Sequence, residues 1–187
     1  MLDEKKTAAA LKEAWRRGGY RFVLTNGILS VRTDSWGFQA SLVNVPAKVL
    51  GLLTEQLGAI MEDGFAFSLK KDQPEQSIML DQESCIWYKV RKVLENGDFS
   101  PIKQTPLSYN GLELWQEQRK LKTCLVDPGY TKIIDTDFLQ EAKSDLETGR
   151  LMIWTSMAGA IAFVMAEPDK DNGLERLDGY PWCGEGS

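Results

Sequence analysis

No histidine occurs in this chain, so proton transfer, nucleophilic attack or metal binding would fall to carboxylates, lysines, tyrosines, hydroxyls and the thiols of Cys85, Cys124 and Cys183. Histidine is the usual acid–base side chain near neutral pH and the commonest metal ligand. Its absence excludes Ser-His-Asp and Cys-His nucleophilic sites, His-bearing zinc sites and the His-carboxylate iron triad. Two carboxylates alone can still run acid–base chemistry, as in glycoside hydrolysis, so an enzyme is not excluded. No GxxxxGK[ST] or GxGxxG loop is present to cradle a phosphate.

The carboxylates and thiols fall into no spacing that names a reaction. Asp135-Thr136-Asp137 has the spacing of a magnesium pair, but Asp135 is placed to cap a helix and Asp137 to sit in its first turn, where the helix dipole favours acid. The stretch from Glu167 to Asp178 puts oxygens at several calcium-loop positions. However, Glu167 stands where Asp is usual, Asn172 where glycine is required, and Asp178 where a longer bidentate glutamate belongs. An acidic surface turn accounts for it better. The cysteines are widely spaced and form no CxxC pair, which removes support for a structural zinc or a dithiol redox site. On a strand Cys85 would share a side with Lys89 and Arg91, cations that could activate a thiol, but core packing is the commoner role of a free cysteine. No catalytic residue, no metal ligand and no cofactor is therefore assigned.

Binding has better candidates. Arg16, Arg17 and Arg21 surround Gly18-Gly19-Tyr20, and three guanidinium groups beside an aromatic can grip a phosphate or a carboxylate of a partner. The competing account is that cations at a helix C-terminus complement its dipole. Tyr180 and Trp182 stand in the terminal stretch Tyr180–Ser187, where large aromatics are unusual and can anchor an interface, or fold back over their own domain. Trp36 is the further aromatic expected on a contact patch. The basic stretches Lys89–Lys92 and Arg119–Lys122 have Trp87, Tyr88 and Trp115 nearby, a mixture that single-stranded nucleic acid also favours. They are short, and no nucleic-acid-binding motif accompanies them.

Local patterns indicate what must position these residues. Apolar positions at three- and four-residue spacing predict a helix over 3–17, stopped by Gly18-Gly19. Tyr20–Leu24 and Ile28–Val31 flank Asn26-Gly27, the strongest short hairpin signal, and Gly37–Val43 reads as a third strand. Pro46 opens a second helix carrying Val49, Leu50, Leu53, Leu57 and Ile60 on one face. Phe65, Phe67 and Leu69 alternate as a strand, with Ser77–Leu80 returning beside it. Cys85–Leu94 reads as a strand, Ser100–Asn110 as a proline-bearing loop, and Gly111–Lys122 as a helix. Asp127-Pro128-Gly129 reads as a turn, Ile133-Ile134 as a short strand, Thr136–Glu147 as a helix, and Leu151–Thr155 and Ala160–Met165 as paired strands.

With 187 residues, 43% hydrophobic and 26% charged, the chain can bury a sizeable core without a disulfide or metal staple. The fold expected is α+β: a mainly antiparallel sheet built from hairpins, with three to four helices packed on one face. Residues 1–178 form the expected single domain, with 100–110 as the candidate boundary between lobes, and 179–187 form a C-terminal tail. The N-terminus lacks the apolar stretch of a secretory signal, and the longest apolar-rich run, 151–166, falls short of the ~20 residues that span a bilayer. Free thiols and these absences point to a cytoplasmic protein with no membrane association. The formal net charge of −5 argues against broad nucleic-acid binding. The expectation is a non-enzymatic binding or interaction protein, accessory or regulatory, with a protein partner or self-association favoured over nucleic acid. The alternative is a small carboxylate-based hydrolase or transferase, with or without a divalent metal.

Overall fold

The structure, a computed structural model, describes residues 2–97, 99–134, 142–145, 150–156, 159–167, 174, 177–179 and 181, the side chains of 80–86 apart. Helix α1 (Glu4–Arg17) starts at Asp3, whose Oδ1 accepts the Lys6 amide at 2.9 Å; that bond, ahead of the Lys6 charge, holds the Asp3 carboxyl below its ordinary pKa. The helix buries Thr7, Ala8 and Leu11. Strands β1 (Tyr20–Thr25) and β2 (Ile28–Arg32) follow, joined through Asn26 and Gly27 at φ 53° and 70°. These positive values fit the twist of a two-residue hairpin. Strand β3 (Trp36–Ser41) and a single 3-10 turn (Leu42–Asn44) lead to helix α2 (Ala47–Leu57), for which Pro46 is the N-cap and Gly58, at φ 71°, the left-handed C-cap. Strands β4 (Ala66–Leu69) and β5 (Gln76–Ser77) then pair as a short hairpin.

The middle of the chain departs from the sequence reading. Residues Leu80–Asn96 form helix α3, not a strand. Strand β6 (Phe99–Tyr109) occupies the expected loop, and strand β7 (Leu112–Glu117) most of the expected helix. Strand β8 (Thr123–Val126) precedes α4 (Pro128–Thr131), a single helical turn at the expected Asp127-Pro128-Gly129 turn. Among the described residues Ile134 pairs through an isolated antiparallel bridge, to Leu2. Strand β9 (Lys143–Asp145) overturns the end of the helix expected over 136–147, while Asp135, Thr136 and Asp137 lie outside the described residues. Strands β10 (Leu151–Thr155) and β11 (Ile161–Met165) pair as expected.

Among the described residues eleven strands form one sheet in the order β5-β4-β1-β2-β3-β11-β10-β9-β6-β7-β8, with antiparallel pairing at each junction. An α+β fold with a mainly antiparallel sheet is therefore present. The junction between its two runs of strands is β3–β11, with Gly37 in register with Phe163.

The helices do not share one face. Alternate strand residues point to opposite sides, and β10 sorts accordingly. Met152 and Trp154 join the large core that contains Ala8 and Leu11 of α1 and Val49, Leu53 and Leu57 of α2. Leu151 and Ile153 join Phe163, Trp87 and Val90 in a second core beneath α3. Helix α3 thus covers the side opposite α1 and α2, and the central strands are buried on both faces. The Trp87 and Phe163 rings meet edge to face at 5.1 Å between centroids. Among the described residues no helix is long and apolar enough to cross a membrane.

The outer edge of β8 is dressed by the chain that follows β11. The Glu167 amide donates to the Leu125 carbonyl at 2.8 Å, and that of Gly179 to the Leu121 carbonyl at 3.1 Å. Asp178 Oδ1 accepts from both the amide and the hydroxyl of Thr123, at 2.7 and 2.8 Å. Covering an edge removes a template for unwanted strand pairing.

Candidate functional site

At the C-terminal end of α1 a cleft of about 360 Å³ opens between the helix, the β2–β3 turn and α4. Glu13 and Arg17 form its helical wall, one turn apart; the Arg17 Nε lies 2.6 Å from the Glu13 carboxylate, the i,i+4 pairing expected of a helix surface. The opposite walls carry Asp34, Asp127 and Tyr130, and Trp36 contributes a deeper, almost wholly buried surface. Local hydrogen bonds fix the walls. The Thr33 hydroxyl accepts from the amides of Ser35 and Trp36 and donates to the Trp36 carbonyl, so the turn bearing Asp34 is held by one side chain. Asp127 Oδ1 accepts the Gly129 amide at 2.7 Å, which commits one of its oxygens to opening α4.

Next to this cleft the fold gathers cations that are distant in sequence. Gly19 has φ +85°, and a Cβ there would stand 2.6 Å from the Leu69 carbonyl oxygen and 3.0 Å from Lys70 Cβ. Glycine is required on both counts: the backbone is left-handed, and the end of β4 presses against it. The Lys71 amide donates to the Trp15 carbonyl at 2.9 Å, in the last turn of α1. Lys70 and Lys71 are thereby delivered beside Arg16 and Arg17. Arg21, at the start of β1, sits in register between Arg32 of β2 and Ser68 of β4, on the face of the sheet opposite α1, since its neighbours Tyr20 and Phe22 enter the core beneath that helix. Arg16, Arg17, Arg21 and Lys71 are exposed. Lys71 pairs with Asp72 at 3.8 Å, and among the described residues Arg16, Arg21 and Lys70 make no ion pair.

The structure thus brings Arg16, Arg17 and Arg21 to one end of the sheet, and Trp36 into the adjoining cleft. Tyr20 does not join them. It is a core residue, 2% exposed, whose hydroxyl donates to Gln56 Oε1 at 2.5 Å; burial raises its ionisation above the ordinary tyrosine range. Tyr180 and Trp182 lie outside the described residues. The two basic stretches fall on separate elements. Arg91 on α3 donates to Gln39 Oε1 at 3.2 Å, while the amides of Arg119 and Lys120 donate to the buried carboxylate of Glu117 and shape the turn after β7. Cys124 is a buried free thiol in the core, its pKa pushed up to about 12 chiefly by burial, with Asp145 adding to the effect. Among the described residues no three cysteine, aspartate or glutamate side chains converge to hold a metal ion.

Sequence reasoning missed Lys70, Lys71, Asp34 and Tyr130, and read Asp127 as part of a turn. The Glu13–Arg17 spacing was a visible signal for the cleft wall. The placement of Lys70-Lys71 depends on β4 pairing with β1 across a long intervening stretch of chain, about which local pattern is silent. No protein-family model matches this chain, and no curated protein matches it in sequence.

Proposed function

We propose that this chain is a non-enzymatic binding protein, cytoplasmic and accessory or regulatory in role, that engages a protein partner through the C-terminal end of α1. One observation carries the reading: Arg16 and Arg17 at the end of α1 lie beside Lys70 and Lys71, with Arg21 following at the start of β1, next to a cleft whose walls come from three separate parts of the chain. Exposed arginines at the rim of a concave surface supply forked donors for carboxylates and add to association rate and specificity. The cleft carboxylates support binding better than catalysis. Glu13 is engaged by Arg17, and Asp127 caps α4, so each has a structural partner in place of a substrate.

The test is capture of partners from native lysate on immobilised full-length chain, wild type beside Arg16→Gln/Arg17→Gln/Arg21→Gln, with thermal unfolding as a control on folding. A stoichiometric protein retained by the wild type and lost by the equally stable variant supports the reading. Equal retention by both, or turnover of a small molecule that Asp34→Asn abolishes, overturns it; the second result would favour the carboxylate enzyme.

A further inference from the structure

We infer that the cations beside Gly19 dock an acidic polypeptide segment of the partner, with Arg16, Lys70 and Lys71 as the contact residues. This rests on the binding reading above and gives the partner a chemistry. The cations exceed what α1 needs. A helix C-terminus carries about half a negative charge, which one or two basic side chains in the last turn satisfy, and Arg16 and Arg17 already occupy that turn. Lys70 and Lys71 arrive from the end of β4, whose backbone meets the last turn of α1 at the Trp15 carbonyl. Among the described residues Arg16 and Lys70 have no carboxylate of their own chain in ion-pair range, and Arg16 and Lys71 are exposed.

The features separate an acidic protein from a nucleic acid. Single-stranded nucleic acid is held by a long basic groove together with exposed aromatics on which bases stack. Among the described residues the exposed tyrosines, Tyr88 and Tyr109, lie on α3 and at the far end of β6, and the chain carries a net charge of −5. A local group of cations on a chain of negative net charge attracts a short run of carboxylates, whereas the whole chain repels an extended polyanion.

The experiment is fluorescence anisotropy of a fluorescein-labelled decaglutamate peptide titrated with the full chain, at about 10 and about 100 mM salt, where the screening length falls from about 30 to about 10 Å. Saturable binding is expected, weaker at the higher salt. Losing two exposed ion pairs in Arg16→Gln/Lys70→Gln weakens it about tenfold. The control Lys5→Gln/Lys48→Gln removes the same charge from exposed positions in the first turns of α1 and α2, and leaves binding unchanged. Surface changes of this kind leave Tm nearly constant. Equal weakening by both doubles overturns the inference, because attraction would then follow net charge alone. So does tighter binding of labelled decathymidylate, which would assign the patch to nucleic acid, or no binding of the peptide. If the peptide fails while the lysate partner is still captured and lost with the arginines, only the acidic-segment inference falls; if capture fails as well, both readings fall.

Discussion

Replacing Gly37 by Ala tests the junction that holds the two runs of strands together. Gly37 lies in β3 opposite Phe163 of β11. An alanine Cβ there would stand 2.5 Å from Phe163 Cε1, 2.9 Å from Cζ and 2.6 Å from the Val31 carbonyl oxygen. The ring cannot swing aside, since Phe163 is 1% exposed and the Trp87 indole meets it edge on. The carbonyl belongs to a paired strand and has no freedom to retreat. Overpacking of this kind costs about 1–3 kcal/mol, from which the intrinsic advantage of alanine over glycine in a strand subtracts about 0.5–1 kcal/mol. A net loss of about 1–2 kcal/mol lowers Tm by about 2–8 °C at this chain length. Urea unfolding followed by tryptophan fluorescence reads it directly, because Trp36 adjoins the site and Trp87 packs on the ring. A double-mutant cycle with Phe163→Leu isolates the ring contact: Gly37→Ala should cost about 1 kcal/mol less when the Phe163→Leu change is already present. A neutral Gly37→Ala, or costs that add within about 0.5 kcal/mol, would refute the ring-on-glycine packing.

Burial holds Cys124 and Tyr20 protonated well above the pH at which they ionise in an unfolded chain. Between about pH 9 and 12 the unfolded state therefore binds fewer protons than the native state. Stability that is fully present below pH 9 is expected to fall as pH rises through this window, by up to about 1.4 kcal/mol per pH unit per group; denaturant midpoints that stay flat from pH 8 to 11 would contradict this. For the same reason iodoacetamide at about pH 8 should leave Cys124 unlabelled in the folded chain, and peptide mapping should find it labelled only after unfolding. Asp178→Ala removes two hydrogen bonds that tie the last described residues to Thr123, and limited proteolysis should then cut beyond residue 167 sooner than in wild type, with a stability loss of about 1 kcal/mol. Glu117→Gln turns one acceptor of the Arg119 and Lys120 amides into a donor, and thermal unfolding should report a loss of about 1–3 kcal/mol.

The chain up to Met79 was largely legible, because its signals were local: apolar spacing in the first helix, Gly18-Gly19 as a stop, Asn26-Gly27 as a hairpin and Pro46 at a helix start. The middle failed for identifiable reasons. Ile86, Tyr88 and Val90 alternate as in a strand, yet the buried positions Trp87 and Val90, with Leu94 packed against them, recur at helical spacing, and Tyr88 is 64% exposed. Short apolar runs carry both periods, and packing on Phe163 decides between them. Pro101 and Pro106 suggested a loop. In the structure Pro101 uses only its carbonyl, which accepts the Gln118 amide, and Pro106 falls in the register break between Gln104 and Ser108, where no ladder amide is needed. Asn110-Gly111, at φ 51° and 79°, is the same hairpin signal as Asn26-Gly27, and it joins β6 to β7. The acid- and Gln-rich strand after it obscured the alternation. The cation cluster was half legible: three arginines are contiguous with α1, and the two lysines belong to it only through tertiary pairing.

Native mass spectrometry of the full-length chain recovered from its own cells separates partner binding from ligand or metal binding. A complex with a second polypeptide, of acidic composition, is expected, dissociating as salt is raised and absent when Arg16, Arg17 and Arg21 are changed to glutamine. A bare chain in both samples, or a mass increment matching a metal ion or a metabolite with no protein partner, would contradict it.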